Sequence, residues 1–445
     1  MIFIAAGIAT LVITGALTVL MRRRPDAFPL LAIFALPFRL PISVDGRTVN
    51  LLIPLYLVIA AGTIAHLIPR WLNRDMLPRR SPIALEWLLL VAVVLYALQG
   101  LYSTDHAKAA ENVAFFYIPF GLLFLLLRDV HWTRELVLRC LGVAVALAVV
   151  FAGIGFVEYA RKQLFLNPKV VAANEYGNYF RVNSLFFDPN IYGRFLAIVM
   201  IAVTTVVLWS RNRREVLIGA GVLGWLLAGL VTSFSQSSIA ALLLGLAVLA
   251  AYRWDVRATV YVTGALVAIA AVVVLAAPPS LHFGLNGSGG STSNATSGRT
   301  KLISGGLELF ADRPLYGYGA GSFETEYKRH GRTRDAANAT SASHTIPVTV
   351  AAEQGILGLI VYVALLVAAF TVLFAGAGRS PPRIALAACF AALVLHTWTY
   401  ADFLEDPVTW TLLGIGVALA RADSFLGVTR EPVASADVIG AGHGT

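Results

Sequence analysis

The chain has 445 residues, of which 58% are hydrophobic and 13% charged, with a mean hydropathy of +0.75. That balance excludes both a water-soluble globular protein and a disordered one, and it identifies an integral membrane protein. The formal net charge of +9 sits mostly in short connections between apolar segments, where arginine sets orientation, so it does not point to nucleic acid.

Apolar windows near 2 to 20, 28 to 45, 49 to 68, 83 to 101, 112 to 127, 136 to 157, 189 to 209, 215 to 232, 237 to 251, 258 to 277, 346 to 374, 384 to 400 and 407 to 420 predict about 13 bilayer-crossing helices. The first has no basic residue before it, and Arg22, Arg23 and Arg24 follow it. It reads as a retained helix with its N-terminus outside rather than a cleaved leader. The basic connections "MRRR", "PRWLNRDMLPRR", "SRNRRE", "YRWDVR" and "GRSPPR" then all fall on the cytoplasmic face. The expected architecture is all-α: a polytopic bundle of about 12 to 13 spans forming a single integral membrane domain over residues 1 to 445. Cys140 and Cys389 lie in or beside apolar segments and are expected to be packing residues, since two such cysteines make no disulfide framework.

Two external segments are more than connections. The first, 158 to 190, contains "NEYGNYFRVNSLFFDPN". The second, 278 to 345, passes from "NGSGGSTSNATSG" into "RTKLISGGLELFADRP", where Leu302, Ile303, Leu307 and Phe310 make an apolar face at helical spacing. A helix lying on or near the membrane surface is expected there, ended by Pro314 and covering the site below. Gly317, Gly319 and Gly321 follow in "PLYGYGAGSF", a spacing that suits tight turns; no dinucleotide fold precedes it, so a structural turn is preferred to a phosphate cradle.

Arg181, Arg299 and His344 each stand at or beside the junction of an external segment with a helix. Guanidinium forks bind phosphate in bidentate fashion, and an imidazole accepts a proton near neutral pH. A diphosphate leaving group suits that set. No short metal-ligand spacing accompanies His330 or His344, and no cofactor or metal is expected. Glu353 and Gln354 lie inside the span from 346 to 374, where polar groups persist only with partners or a task.

At these residues the chain resembles the O-antigen ligase and polymerase superfamily. "RVNSL" fits its Arg-x-x-x-Leu motif, with "DPN" after it. "SGRTKLISGGLELFADRPLYGYGAGSF" is similar to its external arginine, helix and "Pro-Leu-x-Gly-x-Gly" turn. "HTIPVTVAAEQGILG" places His344, Gly355 and Gly358 at the spacing of its histidine motif. The chain departs from the pattern at Thr345, where Asn, Ser or Gln is usual and where a hydroxyl is still able to cap the helix, and at Gln236 of "SFSQSS", where many members have arginine.

The resemblance implies a GT-C-like, metal-independent, inverting glycosyltransferase in the bacterial cytoplasmic membrane, with its active site on the outer face. Its donor would be a glycan on undecaprenyl diphosphate, and its acceptor a glycan or glycolipid. It implies His344 as general base, with Arg181 and Arg299 on the diphosphate. Asp188, Asn190, Gln236, Tyr316 and Glu353 are expected to line the substrate site, and Gly355 and Gly358 to allow close helix packing. A polymerase for O-antigen, capsule or exopolysaccharide shares the donor and remains the alternative within the superfamily. A multi-helix transporter is the alternative from another class, though no internal repeat is visible.

Overall fold

The structure, a computed structural model, describes residues 2–44, 47–72, 81–166, 170–171, 174, 180–254, 257, 261, 292–330 and 343–428. The span expected at 258 to 277 and much of the external segment, 278 to 291 and 331 to 342, lie outside the described residues.

The chain opens with α1 (Ile2–Arg23), a short α2 (Ala27–Ala35) and an antiparallel hairpin of β1 (Leu40–Val44) and β2 (Arg47–Leu51). Then come α3 (Ile53–Leu72), α4 (Ala84–Gly100), α5 (His106–Arg128), α6 (Arg134–Arg161), α7 (Pro189–Trp209), α8 (Arg213–Thr232) and α9 (Gln236–Arg253). They are followed by α10 (Thr292–Asp312), α11 (Phe323–Arg329), α12 (Ile346–Phe374), α13 (Pro381–Thr399) and α14 (Pro407–Val428).

Among the described residues, 8 helices are long and apolar enough to cross a membrane: α3, α5 to α9, α12 and α13. Leu217, Ile218, Ile360 and Val367 are each more than half exposed, so these helices present apolar faces outward as well as inward. Water would penalise such faces, whereas lipid matches them. The inward faces meet in one continuous core in which Phe120, Tyr192, Phe390 and Trp410 are almost wholly buried.

The expected span at 28 to 45 does not form. Its helical part ends at Ala35, before Pro37, and the chain turns into the hairpin, with Val44 paired to Arg47 across the sequence Asp45-Gly46. Asp-Gly between alternating residues is a two-residue hairpin signal, which an average of hydropathy over a span-length window conceals.

The bundle has two chemically distinct ends. At one, Arg70 pairs with Asp129 at 2.9 Å, while Arg128 and Arg421 both pair with Glu86, at 2.8 and 2.7 Å. His106 and Arg128 are opposite ends of α5, roughly 33 Å apart at 1.5 Å rise per residue. At the His106 end, Thr325 Oγ1 donates to Asp105 at 2.9 Å and Ser103 Oγ donates to the Ala320 carbonyl at 2.8 Å. The turn after α10 therefore sits on the end of the bundle away from the arginine-glutamate pairs.

Candidate functional site

Arg181 lies in an irregular segment eight residues before the start of α7. Its Nε donates to the Ser233 carbonyl at 3.1 Å and its Nη2 to Asn190 Oδ1 at 3.3 Å. Asn190 also accepts from Ser235 Oγ at 2.9 Å, and Ser235 bonds Ser238 at 2.7 Å. The guanidinium is thus anchored on one edge by the α8–α9 connection and by the first turn of α7. Gln236, in the same connection, points to the exposed side, while its neighbours Ser235, Ser237 and Ser238 are buried.

Asp188 is the N-cap of α7, its Oδ1 accepting from the Asn190 amide at 2.6 Å with Pro189 in the first turn. Its carboxylate lies near enough to the Tyr400 hydroxyl to act on it electrostatically. Burial first, and then the Asp188 and Asp402 carboxylates, push the Tyr400 hydroxyl well above its ordinary value, so it stays a donor. The Tyr400 ring lies 5.8 Å from the ring of His344 and 5.7 Å from that of His396. His396 is fully buried, its Nε2 within 3.2 Å of Ser238 Oγ. His344, Tyr400, Asp188, Asn190 and Arg181 therefore lie on one path across the ends of α12, α13 and α7, joined in turn by ring contact, charge proximity and hydrogen bonds.

His344 itself is half-buried and has φ of 59°, in the left-handed region. Thr345 stands at the N-cap of α12 but does not cap it with its side chain. Its Oγ1 donates instead to the Trp398 carbonyl at 2.7 Å, tying the start of α12 to the end of α13.

The turn after α10 meets α12 backbone to backbone. Inside α12, Gly355 has φ of 66° and ψ of −162°, which interrupts the helix. The Ala352 and Glu353 carbonyls accept from the Tyr318 and Gly319 amides at 3.2 and 2.8 Å, and the Ile356 amide donates to the Pro314 carbonyl at 2.7 Å. A Cβ on Gly355 would overlap the Leu315 carbonyl, and one on Gly317 the Glu353 carbonyl. Gly355 is therefore a point where a loop enters a broken helix, not the helix-packing glycine that was expected.

Both oxygens of Glu353 are engaged in that turn. Oε2 accepts from the Gly321 amide at 2.9 Å and Oε1 from the Phe323 amide at 3.1 Å. Tyr316 is 54% exposed, with its ring edge-on to Tyr102 at 6.1 Å. Arg299 lies within α10, and its side chain is outside the described residues. The buried face of α10 is Leu302, Gly305, Gly306 and Leu309 rather than the expected set; Leu307 is half exposed. The two glycines bring α10 against Tyr327 and Val348, so it packs on α11 and α12.

Several groups at this end were not singled out from sequence. Arg194 and Asp406 pair at 2.9 Å with both side chains 3% exposed. Glu405 accepts from Asn112 Nδ2 at 2.8 Å; burial first, and then Asp402, push its carboxyl up to about 7 against the pull of Lys108 and Arg39. It lines a cavity of about 70 Å³ with Tyr96, Tyr117, Thr349, Glu353 and Tyr362. That volume holds a few waters, not a sugar. The available signal was the stretch "HTWTYADFLEDP", residues 396 to 407, which puts three side-chain donors, His396, Trp398 and Tyr400, and three acids at and just beyond the end of α13.

No curated protein matches the chain. A family model described as O-antigen ligase matches residues 221–363, a segment that holds the Ser233 to Ser238 connection, α10, the glycine turn, His344 and the Gly355 break. Over that segment, about a third of its length, the chain is similar to the O-antigen ligase family.

Proposed function

We propose that this protein transfers a glycan from a polyprenyl diphosphate donor, undecaprenyl diphosphate in bacteria, to a hydroxyl of an acceptor glycan or glycolipid. The observation that carries this reading is the polar path from His344 through Tyr400, Asp188 and Asn190 to Arg181 at one end of the bundle. In the reaction the His344 imidazole takes the proton of the acceptor hydroxyl as its oxygen attacks the anomeric carbon. The bond from that carbon to the diphosphate oxygen breaks, and the departing charge falls to Arg181 and Arg299. A base on the face opposite the leaving group inverts the anomeric centre. No metal is required by this scheme.

Orientation follows from charge. Arg70 and Arg128 stand at the end opposite the path, and an excess of arginine marks the cytoplasmic side, which supports a path on the outer face of the cytoplasmic membrane. A polyprenyl tail then stays in lipid while its diphosphate reaches the helix ends. The test is incubation of purified protein with a lipid-diphosphate glycan and a panel of hydroxyl acceptors, followed by identification of the molecule that gains sugar. Transfer to a second lipid-linked glycan would favour the polymerase reaction. Absence of transfer to every acceptor, with solute flux in vesicles, would replace the enzyme by a transporter.

A further inference from the structure

The external unit has a core of its own. Leu302, Leu309, Tyr318, Phe323 and Tyr327 cluster together and reach the bundle through Ala352 of α12. Because this cluster is separate from the main core, burial alone leaves the placement of α10 loosely specified. What pins it is backbone pairing at the Gly355 break, closed by the two amide bonds to the Glu353 carboxylate.

The same pinning sets a register between α10 and α12. Pro314 is bonded to Ile356, and a Cβ at Gly306 would come within 2.5 Å of Val348 Cγ1. Both pairs have the same sequence separation, so the two segments run parallel. Carried back at about 1.5 Å per residue to the start of α12, that register sets Ile346 level with Ser304; His344 lies two residues before Ile346, and the Arg299 backbone five residues before Ser304. A slip of one residue at the break would displace Arg299 along the helix axis by about the same 1.5 Å.

We propose that Glu353 is a positioning residue, which holds the helix of Arg299 in register with His344 and does not itself bind substrate. This rests on the glycosyltransferase reading above, in which Arg299 meets the donor diphosphate. The carboxyl group suits the task because each of its two oxygens receives one N–H from the same turn. A glutamine at 353 would keep the size but set an NH2 against one of those two donors.

The experiment is a double-mutant cycle on the full chain with a lipid-diphosphate glycan as donor and the acceptor found for the wild type. Glu353→Gln is expected to lower kcat about 10²-fold with little change in the acceptor KM, since misplacement by an ångström is enough for such a loss. Added to Arg299→Ala, it is expected to lower kcat by less than about 2-fold, because the group it positions is already gone. An equal loss in both backgrounds would overturn the proposal, as would a loss confined to acceptor KM, which would mean direct binding. Where Glu353→Gln does not purify as a monodisperse protein, Glu353→Asp takes its place in the cycle. Failure of the wild type to transfer sugar would sink the parent reading, whereas wild-type transfer without the coupling sinks only this one.

Discussion

The ring of His344 lies 5.8 Å from the ring of Tyr400, whose hydroxyl feels the charge of Asp188. The start of α12 is thereby brought beside the N-cap of α7, 156 positions earlier in the chain, and through Asn190 beside Arg181. Under the proposed reaction, a proton acceptor at His344 and a phosphate-binding fork at Arg181 would keep a fixed separation, which is what a displacement with base and leaving group on opposite sides of one carbon requires.

His344 occupies the left-handed region, so its replacement must tolerate φ of 59°. Asparagine does so more readily than alanine. His344→Asn is expected to keep the melting temperature of the detergent-solubilised protein and to lower glycan transfer by about 10²- to 10⁴-fold. Transfer at the wild-type rate would remove the imidazole from the chemistry.

Arg181 is held by two side-chain bonds, to the Ser233 carbonyl and to Asn190. Lysine preserves the charge without the fork and makes at most one of these contacts. Arg181→Lys should reduce kcat by about 10²-fold, close to the loss for a single fixed donor at a developing anion. If its kinetics matched those of the wild type, the arginine would be a lipid-facing charge and no more.

The helical bundle was legible because spans of apolar residues bounded by arginine carry their own length rule. The hairpin at Leu40 to Leu51 was not, since a strand of alternating residues has the same mean hydropathy as a helix end. Arg181, Asp188, Asn190 and His344 were picked out from a family pattern, and three-dimensional packing sets them on one path. Tyr400, His396 and the buried serines were passed over because they contribute through hydrogen bonds between helices distant in sequence, which no local spacing records. Glu353 was noticed as a polar residue at membrane depth, but its partners became visible only with the break at Gly355, where α12 yields its carbonyls to the turn.

The Arg194–Asp406 pair links α7 to the start of α14 with both charges almost out of solvent. Asp406→Ala leaves a guanidinium buried with no counter-charge, at a cost of about 3–5 kcal/mol. The double variant Arg194→Met with Asp406→Leu removes both charges and should be closer to wild type in thermal and denaturant stability. A double variant as unstable as the single one would show that the two residues stabilise by packing, not by pairing.

Glu405 gives the stability of this end a pH dependence of definite sign. Its carboxyl is pushed up from 4.5 in the free group to about 7 in the folded protein, chiefly by burial. Between those values the folded state holds a proton that the unfolded state has released, so stability falls as pH rises from about 4.5 to 7 and is flat on either side for this group. Glu405→Gln, which keeps the size and an oxygen to accept from Asn112, should remove that slope and raise the melting temperature relative to wild type at pH 8 more than at pH 5. Melting curves of the two proteins in the same detergent across that range provide the check, and parallel curves would place the origin of any pH effect elsewhere.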